Sequence, residues 1–159
     1  MSTRSGEWRA PILFYLVLGL IVVSGTTGVL RSLILYSEGR QIVLEQIGDL
    51  TVHRTFLAAR EESHRRQRPL FILFTAPWSD ACKAFEAAMV SSPVHAALKA
   101  SVILKITDAD PAFRDFSRRS DYTGVRHGLP FFVILDSEAR LRFSGRNLEE
   151  SEKIIRALD

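Results

Sequence analysis

The residues best suited to do chemistry lie in the stretch APWSDACK, residues 76–83. Cys82 is the single cysteine of the chain, and Ser79 stands three residues before it. A thiol near the start of a helix is a candidate nucleophile, because unpaired N–H groups and the helix dipole favour the thiolate. Two thiols at this spacing would exchange disulfides. Here the first position carries a hydroxyl, which has a far higher pKa and forms no disulfide. Serine is, however, among the strongest helix N-caps, so Ser79 reads as a cap ahead of a catalytic serine. None of His53, His64, His95 and His127 is placed by the sequence to activate it, and the four show no metal-ligand spacing. One cysteine excludes an internal disulfide framework and a cysteine-based zinc site. No metal and no cofactor is expected. No Gly-rich phosphate loop and no basic array interleaved with aromatics is present, so nucleic acid is not an expected partner.

The elements that must position this stretch follow from hydrophobic patterning. Continuous apolar runs at 70–75 (LFILFT), 102–106 (VILKI) and 131–135 (FFVIL) predict strands buried on both faces. IVLEQI at 42–47 is a short strand candidate, and LRFSG at 141–145 alternates as an edge strand would. Asp49 predicts the cap of a helix from Leu50 to about His64, with Phe56, Leu57 and Ala59 inward. Residues 79–90 read as a helix with Cys82, Phe85 and Met89 on one face. Ser92 with Pro93 behind it predicts a further helix start. Residues 111–120 predict a helix, and Leu148, Ser151, Ile154, Ile155 and Leu158 mark one face of a closing helix. Alternating strands and helices predict an α/β sandwich with parallel pairs. The turn at Asp136–Ala139 is short, so the last two strands must be antiparallel.

The chain of 159 residues suits one domain with an accessory segment. Hydrophobic residues at 47% and charged residues at 25% are ordinary for a folded domain, which excludes wholesale disorder. A net charge of +3 is mild, and arginine carries it: residues 1–70 contain no lysine. Residues 12–30 contain no charged residue, and a helix needs about 20 apolar residues to cross a bilayer. We therefore expect residues 1–36 to be a tail and transmembrane anchor, 37–41 a linker, and 42–159 the folded domain. The alternative for the first segment is a secretory signal with its apolar core at 12–23. The short basic tail with Arg4 and Arg9 places the protein in the inner (plasma) membrane as a single-pass chain, with the domain on the periplasmic or extracytoplasmic side. Ser24 and Gly28 have a small-xxx-small spacing that would support weak dimerisation. The run His64, Arg65, Arg66, Arg68 reads as a solvated helix end, or as a contact for anionic headgroups beside an anchor.

The element order, APWSDACK after the second predicted strand and GLP before the fourth together resemble the thioredoxin fold. The nearest likeness is the C-terminal thioredoxin-like domain of DsbD-type thiol:disulfide interchange proteins. In these a Trp-Cys-x-x-Cys-Lys motif opens a helix and is followed by Phe and Glu. Trp78, Cys82, Lys83, Phe85 and Glu86 match that arrangement over a resemblance spanning roughly 42–159. It implies a three-layer sandwich around a mixed sheet. It also implies that Leu129-Pro130 is the cis-proline step beside the motif, flanking a groove for an extended partner segment.

Three departures bear on function. Ser79 stands where the family's first, attacking cysteine would be. Leu73 stands where the family commonly buries an aspartate that takes a proton from the second cysteine. Phe131 follows the proline where threonine is common, implying a more apolar groove. Glu86 and His127 remain as possible modulators of Cys82, the one candidate catalytic residue. These features imply a membrane-anchored thioredoxin-fold protein without dithiol redox activity, acting through protein binding as an assembly factor or chaperone-like module. Two readings stay open beside it. One is a monothiol oxidoreductase using Cys82, with a degenerate Ser-x-x-Cys motif, in disulfide handling or cytochrome maturation. The other is a structural subunit of a membrane complex.

Overall fold

The computed structural model describes residues 43–159. The expected anchor at 12–30, the linker and the Ser24/Gly28 spacing lie outside the described residues. Among the described residues no helix is long and apolar enough to cross a membrane.

Strands β1 (Leu44–Ile47), β2 (Leu50–His53), β3 (Leu70–Thr75), β4 (Val102–Thr107), β5 (Phe131–Leu135) and β6 (Leu141–Gly145) form one sheet in the order β1-β2-β4-β3-β5-β6. The β2–β4 and β3–β4 pairs are parallel; the β1–β2, β3–β5 and β5–β6 pairs are antiparallel. Helices α1 (Phe56–Arg66) and α4 (Pro111–Arg118), with a 3-10 segment at Ser120–His127, supply side chains to the core on one face. Helices α2 (Asp80–Ser91), α3 (His95–Ala100) and α5 (Ser151–Leu158) supply the core on the other.

The strand period of two divides the apolar runs between these cores. In β3, Leu70, Ile72 and Phe74 face α1 and α4, while Phe71 and Leu73 face α2 and α5. In β5, Phe131, Val133 and Leu135 join the first set, and Phe132 and Ile134 the second. Phe132 stacks on Phe71 with centroids 5.0 Å apart and is flanked by Phe85 of the motif helix at 5.9 Å. Fully burying each such ring is worth roughly 1.5–3 kcal/mol, so the motif helix is seated by aromatic packing.

Two expected elements differ. Leu50 does not begin a helix: residues 50–53 are β2, paired to β1 through a two-residue turn, with Ile47 opposite Leu50. Gly48 has φ +60°, and Asp49 does not share its positive φ, which is the sign pattern of a type II′ hairpin. Asp49 is thus a turn residue, and Thr55 occupies the cap position of α1. Ala59 is buried as expected, but Leu57 is 57% exposed. Ser92 is the C-cap of α2 rather than the N-cap of the next helix, its N–H donating to the Ala88 carbonyl. Helix α3 opens three residues later, once Pro93 and Val94 have completed a turn.

Candidate functional site

Strand β3 delivers the motif. After Thr75 the chain leaves the sheet through buried Ala76, exposed Pro77 and exposed Trp78, and helix α2 starts at Asp80. Ser79 is the N-cap, as the sequence predicts, with φ −90° and ψ 120°. Its carbonyl accepts from the N–H of Cys82 at 3.1 Å, and its Oγ accepts from the same N–H at a longer 3.4 Å. Asp80, in the first turn, complements the helix dipole and pairs with Lys83 at 3.0 Å. The Ser79 hydroxyl has no histidine or carboxylate partner among the described residues. It is a weak cap, without a base to activate it.

Cys82 is 1% exposed. Its Sγ accepts from the N–H of Ala76 at 3.4 Å, so the sulfur is turned against the end of β3. No second cysteine exists to pair with it.

The sheet register puts the other predicted site residues at the same end. Phe74 pairs with Phe131 in the antiparallel β3–β5 ladder, which sets Pro130 level with the residues following Phe74. The Leu129–Pro130 peptide bond is cis, as the resemblance implies. Leu129 and Pro130 are both partly exposed. Gly128, at φ +121°, turns the chain into that step. The parallel β3–β4 ladder brings Asp108 alongside: its N–H donates to the Thr75 carbonyl at 3.0 Å. Trp78 is 74% exposed, yet its Nε1 donates to Asp108 Oδ2 at 2.7 Å, fixing the indole at the rim.

One expectation about the groove is corrected, and one residue near it is placed. Phe131 does not line it; it is 5% exposed and stacks on Phe74 at 6.1 Å, because its strand parity points it into the α1/α4 core. Its apolar character serves the interior. His127 is exposed, and its carbonyl accepts from Arg146 at 2.8 Å. Its ring has no partner among the described residues, so no contact ties it to Cys82.

Glu86, one helical turn beyond Cys82, is not freely solvated. Its carboxylate accepts from Thr75 Oγ1 at 3.1 Å and pairs with Lys105 Nζ at 3.0 Å. Lys105 also pairs with Glu45 at 2.8 Å. Burial opposes the charge on Lys105, but the hydrogen bonds it donates to Glu45 and Glu86, with their negative charge, outweigh it and hold the ammonium pKa above the ordinary lysine value. Lys105 is the register partner of Leu73, and Leu73 is fully buried. Sequence reasoning missed this lysine. The available signal was a single cation inside the otherwise apolar run VILKI.

A cavity of about 460 Å³ is lined by residues including His53, Arg66, Arg68, Lys99 and Ser101. It lies at the start of β4, the opposite end of the sheet from the motif. Among the described residues no group of three or more His, Cys, Asp or Glu side chains is placed to hold a metal ion.

The profile of a family described as thioredoxin-like matches residues 51–137. No curated protein is similar enough to match. Among solved structures, the chain is similar to a thioredoxin from Thermus thermophilus at 20% identity, covering 65% of this chain and 82% of that one, with a TM-score of 0.51. It is also similar to a disulphide isomerase from Xylella fastidiosa Temecula1 at 19% identity, covering 63% and 79%, with a TM-score of 0.47. The reduced DsbD C-terminal domain of Neisseria meningitidis matches at 18% identity, covering 63% and 88%, with a TM-score of 0.42. At these identities the likeness is one of fold.

Proposed function

Because the chain belongs to the thioredoxin-like family, we propose that it is a membrane-anchored member that lacks dithiol exchange and binds a partner protein instead. The partner contributes an extended segment that docks beside Trp78, Leu129 and Pro130. The observation that carries this reading is the state of the one sulfur: Cys82 is 1% exposed, and the residue at the helix start is a hydroxyl. Exchange requires a thiolate that attacks and a second thiol that leaves or resolves. Neither role can be filled within this chain while Cys82 stays behind Ala76. The monothiol alternative needs the same sulfur at the surface, which burial opposes.

The surface for binding persists where the chemistry does not. Trp78 presents a broad apolar ring, held in place by Asp108, and exposed aromatics of limited flexibility are favoured anchors at interfaces. The uncharged span at residues 12–30 supports the anchor, and the basic tail before it supports an extracytoplasmic domain.

Photocrosslinking from position 78 and from position 129 in intact membranes tests the reading. Both sites should capture the same protein. A Trp78→Ala chain should lose it while keeping its melting temperature, because the ring is mostly solvated. In parallel, the native chain should fail to reduce insulin, and Cys82 should label only in denaturant. Insulin reduction that disappears in Cys82→Ser would overturn the proposal.

A further inference from the structure

Charge is unevenly placed on the two helical layers. Helices α1 and α4 cover the same face of the sheet and meet through Phe56 and Phe116, whose rings are 5.0 Å apart. The outer surface of this layer displays Arg60, Arg65, Arg66, Arg114, Arg118 and Arg126, all exposed. Arg65 and Arg66 share the single carboxylate of Glu62. Arg60, Arg114 and Arg118 have no acidic partner among the described residues. Leu57, 57% exposed, stands on α1 one turn before Arg60 and Glu61. On the opposite layer, Lys83, Lys153 and Arg156 are each answered by an acid three or four residues away. Glu61, Glu62 and Asp115 also lie on the α1/α4 layer, but six arginines outnumber these three acids, so this layer keeps an excess of guanidinium groups around an apolar side chain, whereas the cations named on the other are each paired.

We infer that the α1/α4 face is an electrostatic docking surface for an anionic lipid bilayer, on which the domain lies down. This rests on the anchor proposed above. If the apolar stretch ends near Tyr36, the seven residues from Ser37 to Val43 reach at most about 25 Å. That is less than the width of a domain whose radius of gyration is about 13 Å. On the proposed anchor, a tether of that reach would leave the domain within range of the headgroups, and charge would select the face that docks. Arginines near an anionic surface are attracted within about a Debye length, each biasing the docked population about fivefold. An exposed leucine among them suits the headgroup boundary, where apolar and cationic groups are both accommodated. The acid-answered layer of α2 and α5, on the other face of the sheet, would face water.

The full chain, reconstituted into vesicles, carries a fluorophore either at Leu57→Cys or, as a control on α5, at Glu152→Cys; a headgroup-linked quencher reports proximity. Vesicles are phosphatidylcholine alone or with phosphatidylglycerol added. Quenching at position 57 should exceed that at position 152 in the anionic vesicles at low salt. The difference should vanish near 1 M salt, where the Debye length falls to about 3 Å. Replacing Arg60, Arg114 and Arg118 together by glutamine should cut the docked-to-free ratio about a hundredfold. Equal quenching at both positions, or a preference that survives in neutral vesicles, overturns the inference. So does displacement by a structureless RNA at the same salt, which would give the face to nucleic acid. Chain left in the supernatant with neutral vesicles sinks the anchor instead; arginine-dependent recovery on anionic vesicles would then still uphold the face.

Discussion

Supplying the missing sulfur is the most direct perturbation. In Ser79→Cys the new side chain stands three residues before Cys82. The 3.1 Å hydrogen bond from the Cys82 N–H to the residue 79 carbonyl is an i+3 to i contact. Such a contact brings the two Cα atoms within about 7 Å, and disulfides span about 4.4–6.8 Å. We expect the bond to form under mild oxidation. Closing so short a loop removes about 2 kcal/mol of unfolded-state entropy. Losing the Ser79 cap costs about 0.5–1 kcal/mol, toward the low end because its Oγ contact is 3.4 Å. The oxidised variant should therefore unfold about 1 kcal/mol above the native chain, and the reduced variant about 0.5–1 kcal/mol below it. Denaturant melts of both redox forms read this directly. Exchange should remain slow, because the Cys82 proton has no acceptor: Leu73 is apolar and the Glu86 carboxylate is engaged by Thr75 and Lys105. A missing proton-transfer group commonly costs about a hundredfold or more, and insulin reduction should fall short of a thioredoxin by about that factor. Adding Leu73→Asp should recover at least about tenfold, since it supplies a carboxylate on β3 facing the motif helix while Lys105 stays engaged by Glu45 and Glu86. A single Ser79→Cys chain working at thioredoxin rates would refute the proton argument; failure to form the disulfide would refute the geometry.

Lys105→Met should destabilise the domain by about 2 kcal/mol, because it leaves part-buried Glu86 with only the Thr75 hydroxyl and Glu45 with only Arg54 at 3.5 Å. The raised Lys105 pKa adds a pH signature: its contribution is complete below 10.5 and is lost as pH rises through the folded value, so the native chain should weaken in alkali more steeply than the variant. Asp49 is held at about 2, first by its hydrogen bond from Lys99 and then by His95, against an ordinary 3.8. Its contribution is present above 3.8 and lost as pH falls toward 2, so Asp49→Asn should flatten the acid limb of a melting-temperature profile in that window. Gly48→Ala should cost about 1–2 kcal/mol in a denaturant melt, since φ is +60° and the new Cβ would lie 2.6 Å from Val90 Cγ1.

Legibility in the sequence tracked how local the determining contacts are. β3, β4 and β5 could be read because burial on both faces writes a continuous apolar run. The Ser79 cap could be read because its partner is three residues away. LTVH was obscured by Asp49, a residue favoured at helix starts, although Gly48-Asp49 is equally a hairpin dipeptide and Leu50 and Val52 alternate inward. Ser92 misled for the same reason, and the six residues of α3 are too few to show a period. The partners of Lys105 lie 60 and 19 residues away, and no local pattern records them.

That lysine changes what the departures at positions 73 and 79 mean. A lysine buried opposite Leu73 keeps its charge at low cost only beside a carboxylate; unpaired, it would cost several kcal/mol or give up its proton. The resemblance would put an aspartate at position 73 of the strand, where it would take a proton from the second cysteine. Here Glu86 meets Lys105 from the helix, and Glu45 meets it from the edge strand. Held between Thr75 and an ammonium, Glu86 pins α2 to the sheet. Pinning the helix also fixes where the loop bearing Trp78 leaves β3. On the proposed reading, the contacts that hold Glu86 away from Cys82 also stiffen the rim at which a partner would dock, so one ion pair would serve both an absence of exchange and a gain in binding.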